Sequence, residues 1–148
     1  MQQPQIAYFE NEVLQAGPLR LVQLLYRGAI EAVRKARAHV RQGEIRSRSE
    51  QITKAMDIIH ELAVSVDRER GGGLATNLLE LYDYMLRQLQ VANFEQVEEP
   101  LAEAERLLMT LEEAWDQIAA EPAAEPLTGA VHTESLDEFA YSARSFVY

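Results

Sequence analysis

Apolar side chains recur along most of this chain at intervals of three and four residues, and no run alternates at every second position. The first spacing lines one face of an α-helix, whereas the second would mark a half-buried strand. Four helices are therefore predicted. The first spans about residues 18–41: Pro18 suits a first turn, whose N–H would be unpaired anyway, and Gly43 suits a left-handed cap. Leu21, Leu25, Ala29, Ala32, Val33, Ala36 and Val40 share its apolar face, widened by Val22, Tyr26 and Ile30. The second, about 45–67, carries Ile52, Ala55, Met56, Ile59, Leu62, Ala63 and Val66. Gly71-Gly72-Gly73 reads as a sharp reversal, because glycine accepts positive φ without steric cost. The third helix spans about 74–92 and the fourth about 96–120, with Pro100 tolerated in its opening turns. Helices of this length joined by short turns specify an all-α fold, an antiparallel up-down-up-down four-helix bundle. A flexible N-terminal arm (1–16) and an acidic C-terminal tail (121–148) flank it.

The apolar faces are wider than a bundle core requires. On the third helix Leu74, Leu78, Leu81, Tyr82, Met85, Leu89 and Ala92, with Ala75, Leu79 and Leu86, sweep roughly 160°, against about 100° for an ordinary core-facing stripe. The first helix is similarly broad. The surplus predicts apolar grooves on the bundle surface, the kind of surface that receives an amphipathic partner helix. Tyr82 sits on the stripe and Tyr84 nearly opposite, so the pair reads either as one core and one surface tyrosine or as part of a peptide-binding surface.

Composition narrows the chemistry. The 148 residues contain no cysteine, so disulfides, thiolate zinc sites and cysteine nucleophiles are excluded. The formal net charge is −10, which disfavours nucleic acid unless a local basic patch overcomes it. Arg34, Lys35, Arg37, Arg41, Arg46 and Arg48 form one such cluster, but no aromatic interleaves it, and it reads as a solvated helix end. The N-terminus lacks the basic and apolar regions of a signal peptide, and no apolar run is long enough to span a membrane. The expectation is a cytoplasmic protein without membrane insertion. His39, His60 and His132 lie apart, with no ligand spacing, and Glu98, Glu99, Glu103, Glu105, Glu112 and Glu113 read as a solvated face. No catalytic residue, metal site or cofactor is predicted.

The last 28 residues split in two. Glu121–Pro126 is a proline-stiffened linker by composition. Beyond it, Ser135 and Glu138 have capping-box spacing, while Leu136, Phe139, Ala140, Ala143 and Phe146 share a helical face. Two readings stay open: an acidic tail without regular structure, or a short helix over 135–147 docking on an apolar groove.

Several stretches in fixed order carry a family resemblance. They are AYFENEVLQAGPLRLVQLLYRGAI (7–30), AMDIIHELAVSVDRERGGGLATNLLELYDYMLRQLQVAN (55–93) and LEEAWDQI (111–118). Tyr8 stands ten residues before Pro18, followed by L-Y-x-G-A-I, the glycine turn, N-L-x-x-L-Y-D-Y and A-N. Together these resemble the flagellin export chaperone family, FliS, over about three quarters of the chain. The resemblance implies a cytoplasmic bundle that binds the disordered C-terminal segment of flagellin, prevents premature polymerisation, and presents the complex to an export gate component of the flagellar type III secretion apparatus. Ile6 and Tyr8 match the family's mobile N-terminal segment; Leu21, Leu25, Gly28, Asn77, Leu78, Leu81, Tyr82 and Met85 match motif positions and are expected to bind the partner. Two features depart from the family: Arg27 stands where an acid is common, and the tail runs past the usual end. A helical adaptor for another amphipathic segment is the alternative, and an unoccupied groove leaves a homodimer open.

Overall fold

The computed structural model describes residues 17–120, so Ile6, Tyr8, His132 and the tail pattern at 135–147 lie outside the described residues. Four helices follow in order: α1 (Pro18–Gln42), α2 (Ile45–Val64), α3 (Arg68–Glu95) and α4 (Glu99–Ala120). No strand occurs among the described residues. Each helix turns back on the last through a connection of two or three residues. α1 packs along α2 and α4, and α3 packs along the same two, so α1 and α3 stand diagonally across an antiparallel four-helix bundle. The α1–α2 and α3–α4 turns form one end. The α2–α3 turn, Pro18 and Ala120 form the other.

The turns show why the helices stop where they do. Gly43 adopts φ 71°, ψ 22°; its N–H reaches the Val40 carbonyl and that of Glu44 the His39 carbonyl, which together satisfy two orphan acceptors of α1. α2 ends at Val64, not at Asp67 as predicted, where the Ser65 hydroxyl folds back on the Leu62 carbonyl at 2.7 Å. Asp67 is the N-cap of α3: its Oδ1 accepts from the N–H groups of Glu69 and Arg70, each at 3.1 Å. The chain therefore reverses at Ser65–Asp67, and α3 starts at Arg68, six residues before the expected helix start at Leu74. The glycines serve a different purpose. Gly72, at φ 53°, ψ −129°, breaks the regular helix inside α3, a conformation that a side chain would strain. At the other end Gln96 caps α3 with φ 58°, delaying α4 to Glu99.

Burial follows the predicted stripes, with one correction. All the α1 stripe residues except Val40 are buried, together with Leu24. Its surplus width is taken up by the two flanking helices. The centre of the core is aromatic and polar at once. Tyr26 of α1 and Tyr82 of α3 meet hydroxyl to hydroxyl at 2.6 Å, and the Tyr26 ring lies 6.5 Å from that of Trp115 in a tilted arrangement. At the far end, Arg48 of α2 is buried and donates to the Asn93 carbonyl at 3.2 Å and to its Oδ1 at 3.3 Å. This guanidinium satisfies an acceptor at the last turn of α3 and ties the two helices together.

Part of the basic cluster does more than end a helix in solvent: Lys35 and Arg46 are exposed and pair only within their own helices, whereas Arg34, Arg37 and Arg41 reach across to α4. Arg34 bonds Glu105 at 3.0 Å, Arg37 bridges Glu98 and Glu105, and Arg41 holds Glu98 through three short contacts. Of the glutamates expected on a solvated face, Glu98, Glu105 and Glu112 line the α1–α4 seam, the last through Arg27 at 3.7 Å, and Gln23–Asp116 at 2.6 Å extends it, while Glu99 and Glu113 are exposed. The Arg41 and Arg37 hydrogen bonds hold the Glu98 carboxyl below the usual range. At Glu105 burial pushes upward, but bonds from Arg37 and Arg34 outweigh it, and that carboxyl is also lowered. A depressed carboxylate stabilises the fold above its unfolded pKa, and that contribution is lost as pH falls through the folded value. Thermal melts should accordingly show Tm declining from about pH 5 towards about pH 3. Glu98→Gln should flatten this acid limb, and an unchanged limb would place the sensitivity elsewhere.

Candidate binding surface

α3 has three functional sides, fixed by its partners. Ala75, Leu78, Tyr82, Met85, Leu89 and Ala92 face the core. Leu79, Leu86 and Asn93 lie towards α2, as the Arg48–Asn93 contact shows. Leu74, Asn77, Leu81, Tyr84 and Gln88 lie towards α4, as shown by the Tyr84 hydroxyl, which donates to Glu103. With antiparallel packing, Leu81 falls opposite Leu107 and Asn77 opposite Leu111. Leu74, Leu107 and Leu111 are half-buried while packing against the core, and Leu81 between them is half-buried too. They line the α3–α4 groove, the seam between the two helices, as a half-buried apolar strip, with the Tyr84–Glu103 hydrogen bond next along it.

A second depression opens on the other side of α3. Ala63, Val64, Val66 and Leu79 line a recess beside the α2–α3 turn, with His60, Asp67, Arg68 and Glu69 around it. Val64 is 65% exposed there. Both depressions are set by the same sequence feature, the leucines flanking the core stripe of α3. No group of three His, Asp or Glu side chains among the described residues is placed to hold a metal ion. No helix among the described residues is long and apolar enough to cross a membrane.

The predicted partner-binding residues are not gathered in one place. Leu21, Leu25, Leu78, Tyr82 and Met85 are core residues, none more than 4% exposed. Gly28 faces α2, where an added Cβ would make ordinary van der Waals contact, 3.4 Å from Ile58 Cδ1. Of the predicted residues that are described, only Asn77, exposed, and Leu81, half-buried, reach the α3–α4 groove. Of the tyrosine pair, Tyr82 is the core residue and Tyr84 the surface one. Burial pushes the Tyr26 hydroxyl up to about 12, partly offset by hydrogen bonds with Tyr82 and Trp115, and burial drives Tyr82 well above its ordinary value too.

Leu74, Leu107 and Leu111 complete the groove; sequence spacing put them on apolar helix faces but not among the partner-binding residues. Their signal was present: each sits at the margin of an apolar stripe, one helical step from a core position. Margin positions pack or lie open according to the neighbouring helix, which a single stripe does not specify.

Comparison with known proteins agrees with this architecture. The family model described as "Flagellar protein FliS" matches residues 1–122. A flagellar secretion chaperone FliS of Salmonella typhimurium is 41% identical over 111 residues, covering 74% of this chain and 82% of the relative. The flagellar secretion chaperone FliSB of Pseudomonas aeruginosa is 39% identical over 119 residues, 80% of this chain and 94% of the relative. The Vibrio cholerae FliS is 36% identical over 112 residues, 76% and 82% respectively. With its four-helix order and its motif residues in place, this chain belongs to the flagellar protein FliS family.

Proposed function

We propose that this protein is a flagellar secretion chaperone that holds the C-terminal segment of flagellin on the apolar flanks of α3, keeps it from polymerising, and hands it to the export apparatus. The observation that carries the reading is the half-buried leucine strip of Leu74, Leu81, Leu107 and Leu111 along the α3–α4 seam, in a chain of this family. Such a groove suits a segment that folds as it binds, because apolar contact offsets the ordering cost of the client. In this reading Asn77 and Leu81 touch the client. Leu21, Leu25, Leu78, Tyr82 and Met85 act behind them by fixing the angle at which α3 and α4 meet. Gly28 belongs to the α1–α2 packing that supports the same frame, and Ile6 and Tyr8 act from the arm.

Isothermal titration calorimetry with the C-terminal segment of flagellin from the same organism tests the proposal. Binding should carry a large negative heat-capacity change, the mark of apolar burial. Leu81→Ala, at the centre of the groove, should weaken affinity by about tenfold, roughly the 1.4 kcal/mol of a partly buried side chain. Binding that ignores Leu81 and Asn77 substitutions in a folded protein would move the client to another face. No binding at all would remove the chaperone reading.

A further inference from the structure

The first turn of α3 stands apart from the rest of that helix. Asp67 and Ala75 are buried, but no residue between them is, and Arg68, Glu69 and Arg70 are exposed. The side-chain and turn hydrogen bonds of residues 68–73 all close locally. Asp67 Oδ1 accepts from the N–H groups of Glu69 and Arg70, the Gly71 N–H reaches the Asp67 carbonyl at 2.9 Å, and the Thr76 hydroxyl donates to the Gly72 carbonyl at 3.4 Å. Arg70 lies 3.8 Å from Asp67, and neither Arg68 nor Glu69 makes an ion pair among the described residues. A segment with exposed side chains and only local bonds opens at a far smaller free-energy cost than a packed helix.

The joint between this turn and the helix body is built for movement. Gly72 breaks the helix at φ 53°, ψ −129°, which only glycine adopts without strain. Gly73 follows in helical conformation, and a Cβ there would meet nothing within 4 Å. Alanine would fit at 73 and would strengthen the helix, so glycine at that position adds backbone freedom without a packing reason. The turn also forms one wall of the recess beside α2. Arg68 and Glu69 border a cavity of about 560 Å³ whose other lining includes Ala63, Val64 and Leu79.

We propose that residues 68–73 form a glycine-hinged strap, which swings away from the recess to admit an apolar side chain of the client and closes over it. This rests on the reading that flagellin lies on the apolar flanks of α3, and it adds a moving part to that site. The buried neighbours Asp67 and Ala75 fix the two ends, so the strap moves without disturbing the core. The exposed Arg68 and Glu69 keep the outside of the strap in water in both positions.

Hydrogen exchange on the full chain, free and with the flagellin C-terminal segment, tests the strap. In the free protein the amides of Glu69, Arg70 and Gly71 should exchange at least about tenfold faster than those of Leu78 to Ala92, although all three are hydrogen-bonded. The segment should slow them by a similar factor. Gly73→Ala should slow strap exchange and, in stopped-flow mixing, slow association by about two- to fivefold, the glycine-to-alanine difference in a helix expressed as a population of the open form. Strap amides as protected as the helix body overturn the hinge. Fast exchange that the bound segment leaves unchanged overturns the closure. Slower exchange in Gly73→Ala with an unchanged association rate overturns the gating. If the segment binds neither protein, the client reading and the gating fall together, while exchange in the free protein still reports whether the strap opens.

Discussion

Tyr82→Ala should remove most of the stability of this bundle. Tyr82 is 2% exposed at the point where α1 and α3 meet across the core, and its truncation leaves a large cavity bounded by packed side chains. Loss of a buried aromatic costs about 3–5 kcal/mol, and the Tyr26 hydroxyl, deprived of its 2.6 Å partner, adds about 1 kcal/mol. Against a total of about 5–15 kcal/mol for a domain, the variant should melt roughly 15–30 °C lower, or not fold at physiological temperature. Tyr82→Phe keeps the ring and removes only the hydroxyl, so its cost should be about 1–2 kcal/mol, with client binding retained. Thermal melts and calorimetry on both variants separate core from contact. A Tyr82→Ala protein that keeps its Tm yet no longer binds flagellin would make this tyrosine a client contact.

Alkaline pH should loosen the same pair. Tyr26 is pushed up to about 12 from 10.0 by burial, and Tyr82 is raised well above its ordinary value, again chiefly by burial. A group whose pKa rises on folding contributes stability that is complete below its unfolded pKa. That stability is lost as pH climbs through the folded value. The window for Tyr26 therefore opens near pH 10 and runs to about pH 12. Denaturant melts across this window should show the loss, and tyrosinate absorbance should show the core hydroxyls ionising only as the bundle opens. The double substitution Tyr26→Phe with Tyr82→Phe replaces both partners by apolar rings of nearly the same shape, which is close to neutral at pH 7. It should flatten the alkaline limb. A limb just as steep in the double variant would trace the sensitivity to other groups, such as the arginines of the α1–α4 seam.

The tyrosine pair illustrates how polar groups specify a core. An apolar stripe alone permits a helix to rotate by a fraction of a turn. The Tyr26–Tyr82 hydrogen bond, the Arg48–Asn93 contacts and the Glu98–Glu105 lattice each demand one rotation. Their combined effect is to set which leucines of α3 fall at the margin of the core. In the proposed function that is how interior residues far from the client shape its groove.

Helix number, type and most of the core were legible from residue spacing, because a 3.6-residue period sustained over five or six turns has one physical solution. Pro18, Gly43 and the apolar faces of α1 and α2 carried local information, and local geometry obeyed it. The start of α3 was misread because the glycine run is the louder signal. Asp67 nevertheless has two N–H groups to cap, and that local hydrogen bonding placed the turn earlier. The pairing of Arg34, Arg37 and Arg41 was missed for a different reason. Their partners, Glu98 and Glu105, lie about sixty residues away, and no periodicity within one helix reports a pairing between two.

The same division holds for the binding surface. Spacing alone established that α1 and α3 carry more apolar surface than one contact uses, and motif order pointed to a family. Helix neighbours then decided how the surplus was spent: α1, flanked by α2 and α4, buries its stripe, whereas the flanks of α3 remain half-open. A stripe is a property of consecutive residues and can be read along the chain. A groove is a gap between two helices, and it exists only once packing has set their distance and rotation.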